Sequence, residues 1–133
     1  MEALHDLNFM IPLCIGVFWS IVFLQSGIDK IFDYEGNQSW LQSHFKDSFL
    51  KPYVNVMLIT LTVFEFLAGI LSLFGLIIFL TGGGVFWLTQ GVIVSALCLL
   101  MLIFGQRLNK DYEGAKTIVI YFAVALLSML ALN

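Results

Sequence analysis

The sequence predicts an all-α integral membrane protein, a bundle of four spanning helices, and three observations carry that expectation. First, the chain of 133 residues is 60% hydrophobic and only 11% charged, with a mean hydropathy of +0.97. A soluble domain is about 45–50% apolar and about 25% charged. Second, its apolar residues gather in four segments near the length of a bilayer crossing, about 20 residues each. Third, all six basic residues fall in two short regions: Lys30, Lys46 and Lys51, then Arg107, Lys110 and Lys116. A chain of this length fits one transmembrane domain over residues 1–133.

Span one is expected at residues 7–28, where Pro12 can start or kink the helix. The preceding Met1-Glu2-Ala3-Leu4-His5-Asp6 is acidic. A cleaved signal peptide has a basic start and a small-residue cleavage site, so this segment is expected to be a retained span. In the first loop, Asn37-Gln38-Ser39 offers helix caps, and Leu41, Phe45 and Phe49 recur at four-residue spacing. This pattern predicts a short amphipathic helix over residues 39–50 lying in the membrane interface. A connecting helix packed on the end of the bundle fits the pattern equally well. Pro52 suits the first turn of span two, expected at residues 53–80. Thr81-Gly82-Gly83-Gly84 breaks the chain into a tight hairpin, followed by span three at 85–104 and span four at 115–132. By the positive-inside rule, loops one and three face the cytoplasm and both termini face outward.

Lipid supplies little hydrophobic drive for association between helices, so close packing relies on small residues. Each span has such a stripe: Gly16, Ser20 and Gly27; Ala68, Ser72 and Gly75 with Gly69 alongside; Gly91 and Ser95; Ala125, Ser128 and Ala131. Trp40 and Trp87 suit interfacial positions.

Several function classes are excluded. Cys14 and Cys98 lie at different expected depths and form no CxxC motif, which argues against thiol–disulfide chemistry. Membrane haem takes axial ligands such as His from within the spans, whereas His5 and His44 both lie outside the apolar segments. No His, Cys or carboxylate cluster has metal-ligand spacing, and no Ser/His/Asp set shares one depth. Gly82-Gly83-Gly84 lacks the Lys-Ser/Thr of a phosphate loop. A net charge of −3 is too small to indicate nucleic acid. No catalytic residue, metal or cofactor site is therefore expected, and the chain is not expected to be an enzyme on its own.

One residue stands out. Glu65 is the sole charge between Pro52 and Gln106, and an ionised side chain at such a depth costs about 2.5–3.5 kcal/mol on insertion scales. Other polar groups cluster at the span ends: Gln25 and Asp29, four apart at the end of span one, and Arg107, Asp111 and Tyr112 after span three. Lys30 or Arg107 can snorkel toward Glu65. Three readings stay open. The first is an inter-helix network that fixes the register of greasy helices. The second is a polar pocket for the headgroup of a quinone, lipid or other amphiphile. The third is a proton or ion relay, which fits poorly because the outer half offers only Gln90 and hydroxyls.

Gly27-Ile28-Asp29-Lys30 closing span one, Glu65 followed by Gly69, and Arg107 with Asp111-Tyr112-Glu113-Gly114-Ala115 before span four together resemble the DoxX and DoxX-like family of small four-helix membrane proteins. That resemblance implies a bacterial inner-membrane protein working through other integral membrane subunits, with Lys30, Glu65, Arg107 and Asp111 as the family-like polar positions. The family is functionally mixed. It includes proteins linked to redox complexes and relatives acting as membrane assembly factors or cargo receptors. The leading expectation is a non-catalytic accessory or assembly subunit of a larger complex, respiratory in kind. The alternative is a quinone- or lipid-binding protein with its pocket around Glu65.

Overall fold

The computed structural model describes residues 6–108 and 111–133. The described residues contain no strand. Helix α1 spans Leu7–Phe32, α2 spans Tyr34–His44, α3 spans Val54–Leu80, α4 spans Phe86–Leu108 and α5 spans Tyr112–Leu132. The four longer helices are long and apolar enough to cross a membrane.

Local chemistry accounts for the ends. The Asp6 carboxylate accepts the Asn8 backbone N–H at 2.9 Å and caps α1. A 3-10 turn at Lys51–Tyr53, carrying Pro52, leads into α3. The α3–α4 hairpin needs glycine: Gly82 and Gly84 hold φ of 89° and 79°, the left-handed region that side chains disfavour. Asp111 caps α5 by accepting the Gly114 N–H at 3.0 Å.

The expected helix over 39–50 is corrected. The chain becomes helical again at Tyr34, straight after Asp33, and α2 ends at His44; residues 45–50 form turns. Contacts to α3 hold α2 in this early position, for the Tyr34 hydroxyl donates to Asn55 Oδ1 and Gln38 Nε2 donates to the same atom at 2.8 Å. Ending the helix there splits the Leu41, Phe45 and Phe49 stripe. Phe45 turns into the protein and is buried, while Phe49 is exposed.

The four long helices run antiparallel to their chain neighbours, brought close by the small residues. A Cβ placed on Gly16 would lie 2.9 Å from Leu76 in α3, and one on Gly27 would lie 3.0 Å from Phe66. Toward α4, Gly75 meets the Leu88 backbone, and a Cβ on Gly91 would fall 2.7 Å from Ser72 N. The stripe residues of spans one to three are buried, as are Ala125 and Ser128, but Ala131 is exposed at the end of α5. Around these contacts lies a core of Trp19, Phe23, Ala68, Leu88, Val92, Leu99 and Ala125. Branched and aromatic residues such as Ile21, Val63, Ile70 and Leu127 point outward, as lipid-facing positions do.

Trp19 is fully buried, and its indole Nε1 donates to Ser128 Oγ at 3.2 Å. That hydroxyl in turn donates to the Val124 carbonyl at 2.8 Å. Trp19→Phe is therefore expected to cost about 1 kcal/mol, from the lost hydrogen bond. Trp19→Ala adds a cavity and is expected to cost about 3–5 kcal/mol. Thermal unfolding in detergent should rank the two in that order.

Candidate functional site

Helix geometry brings Lys30 and Glu65 together. Each Cα–Cβ bond tilts toward its own helix's N-terminus. Lys30 lies near the end of α1, so its side chain reaches back one turn, into the bundle. Glu65, on antiparallel α3, points toward the end from which Lys30 descends. Glu65 stands eleven residues beyond Val54, about 16 Å along the axis at about 1.5 Å per residue. The carboxylate is thus deep in the span, and Glu65 is only 1% exposed.

The contacts close a triangle. Lys30 Nζ lies 3.1 Å from Glu65 Oε2 and donates to Ser26 Oγ at 2.9 Å. Ser26 Oγ donates to the same Glu65 oxygen at 2.8 Å. Charge-assisted bonds of this kind are about twice as strong as neutral ones. The two partners differ in access: the Lys30 side chain is 17% exposed and the Glu65 side chain 2%. Lys30 borders a groove with Tyr34, Thr62 and Phe66, while Glu65 is sealed.

The other expected residues do not join this triangle. Gln25 and Asp29 do share a face of α1, but that face is exposed. Arg107 is exposed, with its guanidinium 5.1 Å from the centre of the Tyr112 ring. Asp111 Oδ2 lies 3.2 Å from His44 Nε2 and ties the first loop to the third. Trp40 stacks on the His44 ring at 4.7 Å. The structure thus divides the expected polar constellation into an inter-span triangle and a separate tie between loops.

Sequence reasoning missed Ser26 and His44 as participants. Ser26 lies four residues before Lys30, the spacing that places two helical side chains on one face. Nothing local marks His44, because its partner lies 67 positions away, the difference between 111 and 44. Among the described residues no group of three or more His, Cys, Asp or Glu can hold a metal ion.

Asp111 both caps α5 and pairs with His44. Asp111→Ala is expected to cost about 1 kcal/mol, whereas Asp111→Asn, also a good cap, should cost much less. If denaturation finds both variants equally weakened, the tie to His44 and not the cap is what Asp111 supplies.

No curated protein and no solved structure matches the chain. The family model for DoxX matches residues 11–98. This match covers well over half of the sequence, taking in Ser26, Lys30 and Glu65 but stopping before Arg107 and Asp111. With four apolar helices and that match, this is a multi-pass membrane protein in contact with the lipid bilayer, and it belongs to the DoxX family.

Proposed function

We propose that the protein is a non-catalytic accessory or assembly subunit of a larger complex in a bacterial inner membrane, of the respiratory or redox kind. Loops one and three face the cytoplasm and both termini face outward. The observation that carries this reading is the state of Glu65. Glu65, the sole charge between Pro52 and Gln106, is already engaged by Ser26 and Lys30 within the bundle, where it joins α1 to α3. Its chemistry is spent on architecture, and the outer faces of the helices remain as apolar surface for lipid and for neighbouring subunits.

An amphiphile site centred on Glu65 has less support. Glu65 is sealed, and it does not line the groove that Lys30 borders with Tyr34, Thr62 and Phe66.

The test is purification from native membranes in mild detergent, with protein mass spectrometry on the eluate. The proposal expects a defined set of integral membrane partners at fixed stoichiometry. Recovery of a free monomer alone, also after cross-linking in the membrane, would overturn it.

A further inference from the structure

Gln25 faces the wrong solvent. In the interior of the four long helices, more than five residues from either end, the exposed side chains among the described residues are apolar, the Cys14 thiol included. Gln25 is the exception, and it is exposed. It lies seven residues before the end of α1, since 32 − 25 = 7, about 10 Å along the axis. Ser26, the next residue, bonds the Glu65 carboxylate, so Gln25 sits at that depth. Its Cα–Cβ bond tilts toward the start of α1, which aims the amide deeper into the span and away from the loops. The amide makes no hydrogen bond among the described residues, and an amide left facing hydrocarbon without a partner is costly.

The residue also belongs to a seam. Cys14, Phe18, Ile21, Gln25, Ile28 and Phe32 follow one another at alternating spacings of four and three, and all six are exposed. That alternation is the core repeat of a two-stranded coil, where a single polar residue specifies register and the number of strands. Helix α1 packs on α3 through its opposite face, at Gly16 and Gly27. The chain turns into α2 without covering Phe32, which is 85% exposed, so the seam stays open to the bilayer along its length.

A second copy of this chain is the complement. Copies inserted in one membrane share one orientation, so a two-fold axis along the membrane normal sets their α1 helices parallel. Each seam residue then lies opposite itself. An amide carries both donor and acceptor, so Gln25 answers Gln25 of the second copy through reciprocal Nε2–H···Oε1 bonds; lipid tails offer neither group. Asp29, also exposed, stands beside the seam and not in it, so the symmetry does not set two carboxylates face to face. We propose that the protein forms a parallel homodimer through the outer face of α1, with Gln25 paired across the two-fold axis. Such a dimer forms inside or outside a larger complex alike and does not rest on the subunit reading.

The seam carries its own probe in Cys14. Native membranes holding the full-length protein are oxidised with copper phenanthroline, and the product is run on a non-reducing gel. A disulfide-linked species of twice the chain mass is expected. Cys98→Ser should keep it, because Cys98 is buried, and Cys14→Ser should lose it. In a background lacking both cysteines, Ile21→Cys, in the same seam, should link, whereas Val63→Cys, exposed on α3, should not. For the purified protein in detergent, sedimentation equilibrium should give a Gln25→Leu dimer dissociation constant about threefold to tenfold above the wild type. The cross-linking arm needs no change at Gln25, so it stands whatever that variant does to folding. A wild-type protein that stays monomeric at every concentration, equal linking at Cys14 and at Val63→Cys, or an unchanged dissociation constant in folded Gln25→Leu would each overturn the proposal. A Cys14 adduct of any other mass would seat a different protein on this face and overturn it as well.

Discussion

Lys30→Met is expected to destabilise the bundle by about 3–5 kcal/mol, the range for breaking a buried ion pair from one side. The substitution leaves Glu65 at 1% exposure, with Ser26 as its only remaining partner in the triangle. Glu65→Leu should cost distinctly less. It strands the partner with better access, because the Lys30 side chain is 17% exposed and its long stem can carry the ammonium outward. The double variant Lys30→Met/Glu65→Leu should recover most of the loss, since apolar replacements of buried pairs are often neutral or stabilising. Thermal unfolding in one detergent, arranged as a double-mutant cycle, reads all three. Additive losses would mean that the two side chains do not act as a unit. Equal single losses would mean that the difference in access does not govern the cost.

Gly75→Leu is expected to be the most disruptive substitution on the α3–α4 face. The added Cβ would run into the Leu88 backbone, and backbone cannot rotate aside as a flexible side chain can. Overpacking costs about 1–3 kcal/mol where neighbours adjust, and more where they do not. Here the two helices must separate, losing the close approach that holds them together without a hydrophobic drive. Gly91→Leu should behave similarly, since its Cβ would lie 2.7 Å from Ser72 N. Gly105→Leu is the control, because an added Cβ there would meet nothing nearer than Phe45 Cζ at 3.9 Å. Size-exclusion profiles and unfolding midpoints should separate Gly75 and Gly91 from Gly105. Three equal outcomes would contradict the assigned helix–helix contacts.

The spans were legible in the sequence because hydropathy over about 20 residues is a strong signal that needs no partner. Much of the packing was legible too. The Gly16, Ser72, Gly75 and Gly91 stripes mark close approaches, since only small residues permit them. Ala131 failed because the buried face of α5 passes from Ser128 to Leu132, one helical turn on, and leaves Ala131 beside it. The first loop was legible in type but not in register. Leu41, Phe45 and Phe49 look like one helical face, yet the helix is held earlier by Asn55, a residue on another element. Polar pairing followed the same divide. Lys30 could be assigned to Glu65 as one of two candidates, because both basic residues lie near the same end of the bundle. The choice between Lys30 and Arg107 depended on which helix faces meet. That is a tertiary fact: α1 packs on α3 with Gly27 against Phe66, which leaves Arg107 outside, over Tyr112.

On the proposed function, Glu65 and Lys30 hold the bundle together while function lies in association with other membrane subunits. The most direct measurement is the partner set recovered from native membranes with the Lys30→Met/Glu65→Leu protein, compared with the wild type. Retention of the same partners at the same stoichiometry is the expected result, because an apolar pair can join α1 to α3 without either charge. Loss of the partners from a double variant that remains folded in detergent would overturn the subunit proposal and place Glu65 or Lys30 in the function itself.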